Sequence, residues 1–390
     1  MSKMVYDLAV SGWGDEEKEA IAQVIASDMY SMGKRVSIFE QEFATYTGSK
    51  YCLMVNSGSS ANLLMVAALF YIKQNKLQRG DEVIVPAVSW PTTYYPLSQY
   101  GLKLKFVDID KHTLNYDLNA LESAISDKTR LIMVVNLLGN PNDFNIINEL
   151  IKNKNIRLIE DNCESMGAIF DKKQAGTFGV MGSFSTFYSH HMATMEGGMI
   201  ITDNEELYHI LLSLRAHGWT RNLPKHNHVC TEKSDNIFEE SWRFVLPGYN
   251  VRPIEMEGAI ASIQLKKLPN FIENRRKNAK HFIELFSRHP DFYVQQEIGQ
   301  SSWFGFSLVI KEDSALRRID VANKLTHAQI ECRPIVAGNF AKNEVMKYFD
   351  YEIHGNLDNA NLIDRNGLFV GNHHFDLTKQ LDYLFSIIDN

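Results

Sequence analysis

Apolar positions change rhythm along this chain, and the changes divide it. After Gly14 the segment GDEEKEAIAQVIASDMY sets apolar residues at helical spacing among charges, and SIFEQEFATYTGS follows it, so two helices are predicted. The run SSANLLMVAALFYIKQNK, Ser59 to Lys76, is rich in Ala, Leu and Met and follows the turn NSGSS, which predicts a further helix. Short continuous apolar runs come next: DEVIVPAVS, KLKFVDID, RLIMVVNLLG and IRLIED, separated by helical segments such as DLNALESAIS and FNIINELIKN. Runs of that length alternating with helices predict a parallel sheet buried on both faces. GSFSTFYSHH and GGMIITDN add two more strands.

Near Pro269 the character changes. FIENRRKNAKHFIELFSRH reads as a long charged helix, WFGFSLVIK as a strand, SALRRIDVANKLTHAQ as a helix, IECRPIV as a strand and LTKQLDYLFSIID as a closing helix. The pattern predicts a large α/β domain over 1–267, with an N-terminal arm of about 15 residues, and a smaller α+β domain over 268–390. The first helix is a candidate to join the smaller domain.

Hydrophobic residues make up 45% and charged residues 22%, the balance of a globular protein. Forty basic against 47 acidic residues leave a net charge of -7, which argues against nucleic acid or an anionic membrane as the main partner. No apolar run reaches the roughly 18 residues of a membrane span, and the first residues lack the pattern of a secretory signal. Cys52, Cys163, Cys230 and Cys332 stand singly, which suits free thiols in a reducing cytoplasm. No C-x-x-C pair offers a metal site, so none is expected.

Four local signals bear on chemistry. Asn56-Ser57-Gly58-Ser59-Ser60 precedes a helix, where backbone amides, small residues and hydroxyls suit a phosphate; ordinary capping explains the same residues. Trp90 follows a strand ending near Pro86, where an aromatic ring could stack on a flat ligand or simply pack in the core or a loop. Asp161 ends a buried apolar strand and needs a partner; a protonated pyridine nitrogen would serve, and so would a role as cap of the next turn. Finally, GSFSTFYSHHMATMEGG, Gly182 to Gly198, places the Ser185 hydroxyl on a strand and two histidines in a polar loop before Glu-Gly-Gly.

In this order the four signals resemble the fold-type I enzymes of pyridoxal phosphate and, more narrowly, the nucleotide-sugar aminotransferase and dehydratase family. DEVIVPA, FVDID, LRAHGWTRN and LPGYNVRP strengthen the resemblance, which runs from about Gly14 to the C-terminus. It implies a large domain built on a mainly parallel sheet, of the aspartate aminotransferase type. The aminotransferases of this family keep a lysine six positions before the glutamate of EGG, and that lysine holds the cofactor covalently. Here that position is His190, and no lysine occurs between Lys173 and Lys225. A histidine there resembles the sugar 3-dehydratases. The branch that adds an iron–sulfur cluster needs a cysteine set that these four scattered residues do not supply.

The resemblance then implies a hydro-lyase that holds pyridoxal or pyridoxamine phosphate without a covalent link. L-glutamate would supply the amine, and the substrate would be a GDP-linked 4-keto-6-deoxy sugar, hexose or heptose. By residue-by-residue carry-over, Gly58, Ser59 and Ser185 meet the phosphate, with Asn250 reaching it from a partner in a homodimer. Trp90 stacks on the ring, Glu164 lies beside it, and Asp161 keeps its nitrogen protonated. His190 moves protons, since imidazole titrates near neutrality. His217, Arg221 and Arg333 are candidates for the sugar diphosphate. His191 is expected to point elsewhere, in a structural or solvent role. The competing readings are an aminotransferase with an unusual base and a catalytically dead scaffold.

Overall fold

The computed structural model describes residues 5–389; residues 1–4 and Asn390, at the outer ends of the two expected domains, lie outside the described residues. Two amphipathic helices, α1 (Asp15–Ala26) and α2 (Lys34–Thr47), precede β1 (Tyr51–Val55) and α3 (Gly58–Leu69). Strands and helices then alternate: β2 (Glu82–Pro86), α4 (Pro91–Gln99), β3 (Lys103–Val107), α5 (Leu118–Ala124), β4 (Thr129–Val135), α6 (Phe144–Ile151) and β5 (Arg157–Asp161). β6 (Met181–Ser185), β7 (Gly198–Thr202) and α7 (Glu205–Leu214) follow.

The C-terminal third contains α8 (Glu255–Phe286), β8 (Phe292–Val294), β9 (Gly305–Ile310) and α9 (Arg318–His327). β10 (Tyr351–Ile353), α10 (Asp358–Asn366), β11 (Gly367–Gly371) and α11 (Thr378–Asp389) complete it. An eight-stranded sheet runs β1-β7-β6-β5-β4-β2-β3-β10. β7 is antiparallel to both neighbours and all other pairs are parallel. Helices cover both faces, so β2, β6 and β7 are buried throughout, as continuous apolar runs require.

Several expectations need correction. β1, YCLMV, carries no strand signal beyond five apolar residues squeezed between two helices, yet it forms an edge of the main sheet. The helix expected to reach Lys76 ends at Leu69. Leu77 N–H turns back to the Leu69 carbonyl, and Asn75 takes a left-handed φ of 50°. IECRPIV makes only isolated bridges at Ile330 and Arg333, because Pro334 has no N–H to extend a ladder. β11, bracketed by glycines, pairs with β9 instead.

Helix α8 begins sixteen residues before Phe271, at Glu255, and runs through Pro269. Its first half packs Ala261, Leu265 and Leu268 into the large unit, while Ala279, Phe282 and Phe286 enter the core of the small one. We propose that α8 is a spine shared by both units, with the division at 267 lying inside it. The first helix sits on the large-unit half of that spine, through Ala20 and Val24 against Ala259. It is Tyr6, in the arm, that joins the small core and donates its hydroxyl to the Gly371 carbonyl.

Candidate active site

Parallel strands deliver their C-terminal ends to one rim of a sheet, and loops there make a crevice. Here β2, β4, β5 and β6 end around a cavity of about 340 Å³ that the start of α3 closes from one side. Gly58, Ser59, Trp90, Asp161, Glu164, Ser185, His190 and Arg333 all line it.

At the α3 end, Ser57 is the helix cap, accepting from Ser60 N–H at 3.1 Å. The capping reading of this turn is therefore realised. First-turn amides have no intrahelical acceptor, so the same turn also offers donors to an anion. Gly58 fits between two walls: a Cβ there would lie 2.6 Å from Ser185 Cβ and 2.8 Å from Cys163 Sγ. Gly198 backs the turn, since its own Cβ would lie 2.4 Å from the Ser57 carbonyl carbon. Gly58→Ala is expected to cost about 1–3 kcal/mol of stability through overpacking and to weaken anion binding by displacing Ser185. Thermal denaturation and equilibrium dialysis with the phosphorylated cofactor check the two effects.

Asp161 is 6% exposed. Its Oδ2 accepts from Asn62 Nδ2 and Thr93 Oγ1, both at 2.8 Å, and its Oδ1 accepts from Cys163 N–H at 3.1 Å. The last bond is the turn cap anticipated as the rival reading, and it does not remove the carboxylate from the cavity. Trp90 is 52% exposed at the start of α4, which sets aside a core role. Glu164 accepts from Leu138 N–H at 3.2 Å. Burial pushes its carboxyl up to about 7 and the Asp161 charge adds to that, while the Arg333 guanidinium and the Leu138 amide pull it back.

Loop 186–195 carries His190. Its neck is closed by Thr194 N–H donating to the Thr186 carbonyl, with the two Oγ1 atoms 2.6 Å apart. One flank is held by Trp13 Nε1–H donating to the Ala193 carbonyl at 2.6 Å, and by Ala193 N–H donating to Gln264. On the other flank His191 is 3% exposed and its Nε2 lies 3.0 Å from the Ser302 carbonyl, so its role is structural and not solvated. Burial lowers the His190 pKa to about 4. The Ser185 carbonyl favours the protonated ring, whereas Arg333 and Arg275 oppose it. His190 Nδ1 is buried with no hydrogen-bond partner, which leaves Nε2 as the ring nitrogen a ligand can reach.

Three expected residues stand outside this cavity. His217 and Asn250 are exposed, Asn250 Oδ1 accepting from Arg252 at 2.9 Å, and Arg221 lies 3.7 Å over the Trp219 ring. Phe187 and Phe304 line the cavity without having been singled out by the sequence, and Cys163 and Glu196 line it without having been named as site residues. Glu196 was visible in the EGG motif, but Phe304 comes from the small unit, over 100 residues away, and no local pattern marks it. Among the described residues lining the cavity none is a lysine.

A model of the DegT/DnrJ/EryC1/StrS aminotransferase family matches residues 13–382. The GDP-4-keto-6-deoxy-D-mannose 3-dehydratase of Yersinia pseudotuberculosis is 62% identical over 384 residues, covering 98% of this chain and 98% of that protein. A solved structure of the Escherichia coli enzyme of that name, with bound hydrated PLP, is 61% identical; it covers 98% of this chain and 99% of its own, with a TM-score of 0.98. A structure named for the same activity holds a trapped PLP-glutamate geminal diamine. It has the same identity and coverage and a TM-score of 0.97.

Proposed function

The chain belongs to the DegT/DnrJ/EryC1/StrS aminotransferase family, and from that premise we propose that it removes the C3 hydroxyl of GDP-4-keto-6-deoxy-D-mannose. The product is GDP-4-keto-3,6-dideoxy-D-mannose. L-glutamate supplies two reducing equivalents and leaves as 2-oxoglutarate and ammonia. One water is consumed in releasing ammonia and one is lost from the sugar, so atoms and electrons balance. The observation that carries this reading is His190 at the cavity wall, with its outer nitrogen free and no lysine beside it.

The residues fit pyridoxamine phosphate as the resident group. Gly58 leaves a cradle that any larger residue would fill, and Asp161 presents a carboxylate whose three protein donors stop short of neutralising it. Bound there, the cofactor supplies an amine for the keto carbon and a ring that accepts an electron pair. Gly58, Ser59 and Ser185 hold its phosphate. The Trp90 face covers its ring, Glu164 sits at its edge, and Asp161 holds a proton on its ring nitrogen. His190 Nε2 would take the proton given up by the carbon that bears the cofactor's amine and hand it to the C3 oxygen, which would depart as water. A neutral imidazole is the state this needs, and burial maintains it. Phe187 and Phe304 form the apolar walls beside the imidazole.

The active unit is a homodimer. Ile237, Phe238 and Trp242 are 83%, 87% and 70% exposed, an apolar patch on the segment between Arg221 and Asn250. A second copy covers that patch, and its Asn250 completes the phosphate site, with His217 and Arg221 turned toward the sugar diphosphate. The four unpaired cysteines suit a cytoplasmic enzyme. No described helix is long and apolar enough to cross a membrane.

Incubation with L-glutamate, cofactor and GDP-4-keto-6-deoxy-D-mannose is expected to release 2-oxoglutarate and ammonia in equal amounts, with mass spectrometry finding a sugar that has lost one oxygen. A stable amino sugar without ammonia would overturn the reading in favour of an aminotransferase.

A further inference from the structure

The small unit sends one aromatic side chain into the cavity, and its backbone is fixed to an unusual degree. Phe304 N–H donates to the Leu138 carbonyl at 2.9 Å, and the Phe304 carbonyl accepts from Arg275 Nη1 at 3.0 Å. Arg275 is 5% exposed and has no carboxylate partner among the described residues; the same Nη1 also donates to the Asn372 carbonyl at 2.7 Å. Burying a guanidinium costs several kcal/mol even after relaxation. Here it is spent on backbone carbonyls around positions 303, 304 and 372. Leu138, the other anchor, holds a left-handed φ of 55° and gives its N–H to Glu164.

What this anchoring delivers is ring geometry at the base. The Phe304 and His190 centroids are 5.3 Å apart with planes at 77°, an edge arrangement, and on its far side Phe304 stacks on Phe369 at 5.9 Å. Phe369 in turn carries the Arg333 guanidinium at 4.7 Å. Phe304 thus touches His190, His191 at 5.8 Å and the ring that carries the cavity's arginine, and His190 Nδ1 stays buried without a partner.

We propose that Phe304 is a positioning residue for the proton-transfer step: it fixes the tilt of the His190 ring and keeps Nδ1 dry, so that only Nε2 exchanges protons with the cavity. The proposal rests on the reading of His190 as the base. It concerns the coupling of two rings, which can be measured without turnover.

The charged and titratable groups around His190 are Arg333 from the small unit, Arg275 from α8 and His191 from its own loop, with Asp161 at the end of β5, Glu164 just beyond it and Glu196 just after the loop lining the same cavity. All remain when Phe304 is shortened, so a change in His190 titration reports water admitted by the lost ring. The test follows the His190 ring signals by NMR over pH in the cofactor-free chain, assigned by their loss in His190→Asn. In Phe304→Ala the midpoint is expected to move up by about one pH unit, a fraction of what full burial can impose, and Phe304→Tyr is expected to restore it. In the loaded enzyme, kcat of Phe304→Ala should fall up to about 100-fold, the scale of an ångström of misplacement, with KM for the GDP-sugar within about twofold. Phe304→Leu, a smaller truncation that still removes the ring, is expected to move the midpoint and kcat in the same directions by less, and serves if the alanine variant does not fold. An unmoved midpoint, or failure of both variants to fold, would assign Phe304 to packing alone. A moved midpoint in a chain that shows no dehydration would leave the coupling standing and overturn the function instead.

Discussion

His190→Lys is expected to lower dehydration by about 10²–10⁴-fold, the range that a positioned acid–base group supplies, while joining the chain covalently to its cofactor. The two effects share one cause. An amine at this place attacks the cofactor aldehyde, which imidazole cannot hold stably. The desolvation that keeps His190 neutral would also depress the pKa of a lysine and favour its nucleophilic form. Borohydride reduction followed by mass measurement of the intact chain checks the link, and ammonia release checks the chemistry. Retained ammonia output would remove His190 from the mechanism. A chain that stays unlabelled would mean that the loop does not bring position 190 to the aldehyde.

That substitution also marks where sequence reading gains and loses power. The alternation of apolar runs with helices made the parallel sheet legible because strands buried on both faces have no polar positions to confuse the period. β1 escaped because it is squeezed between two helical segments, and because its pairing with β7 is non-local. Asp161 was legible as a charge at the end of an apolar strand, and of its two readings the structure realises the turn cap while leaving the carboxylate on the cavity wall. One carboxylate oxygen caps the turn at Cys163, while the other meets Asn62 and Thr93.

His190 shows a different limit. Nothing local distinguishes it from His191, and only its distance from Glu196 in the family pattern selects it. The structure separates the two by contact: His191 is tied to the Ser302 carbonyl, and His190 keeps a nitrogen for the cavity. Phe304, Arg275 and Leu138 were beyond reach because their significance lies in who meets whom across the two units. Asn250, His217 and Arg221 pose the converse problem, since they stand outside the cavity of a single chain and only the proposed dimer would give them a site.

Asp161→Asn is the second large effect, expected to reduce turnover by about 10²–10³-fold. Removing one charge of a buried ion pair costs about 3–5 kcal/mol, and each 1.4 kcal/mol that falls on the transition state is a factor of ten. The proposed pairing would meet a carboxylate already held in place. Asn62, Thr93 and the Cys163 amide fix both oxygens, so little reorganisation is left when a ring nitrogen carries a proton. An amide at 161 keeps the shape and loses the charge. It also turns an N–H toward groups that now donate, at a cost of about 1–3 kcal/mol in stability. Thr93→Val separates these contributions, because it removes one donor and leaves the charge in place. Its turnover should fall by less than about tenfold, in line with the roughly 1 kcal/mol of a single hydrogen bond. Single-turnover rates of both variants at saturating cofactor make the comparison, and an asparagine variant no slower than the valine one would show that the charge at 161 is not what keeps the ring an electron sink.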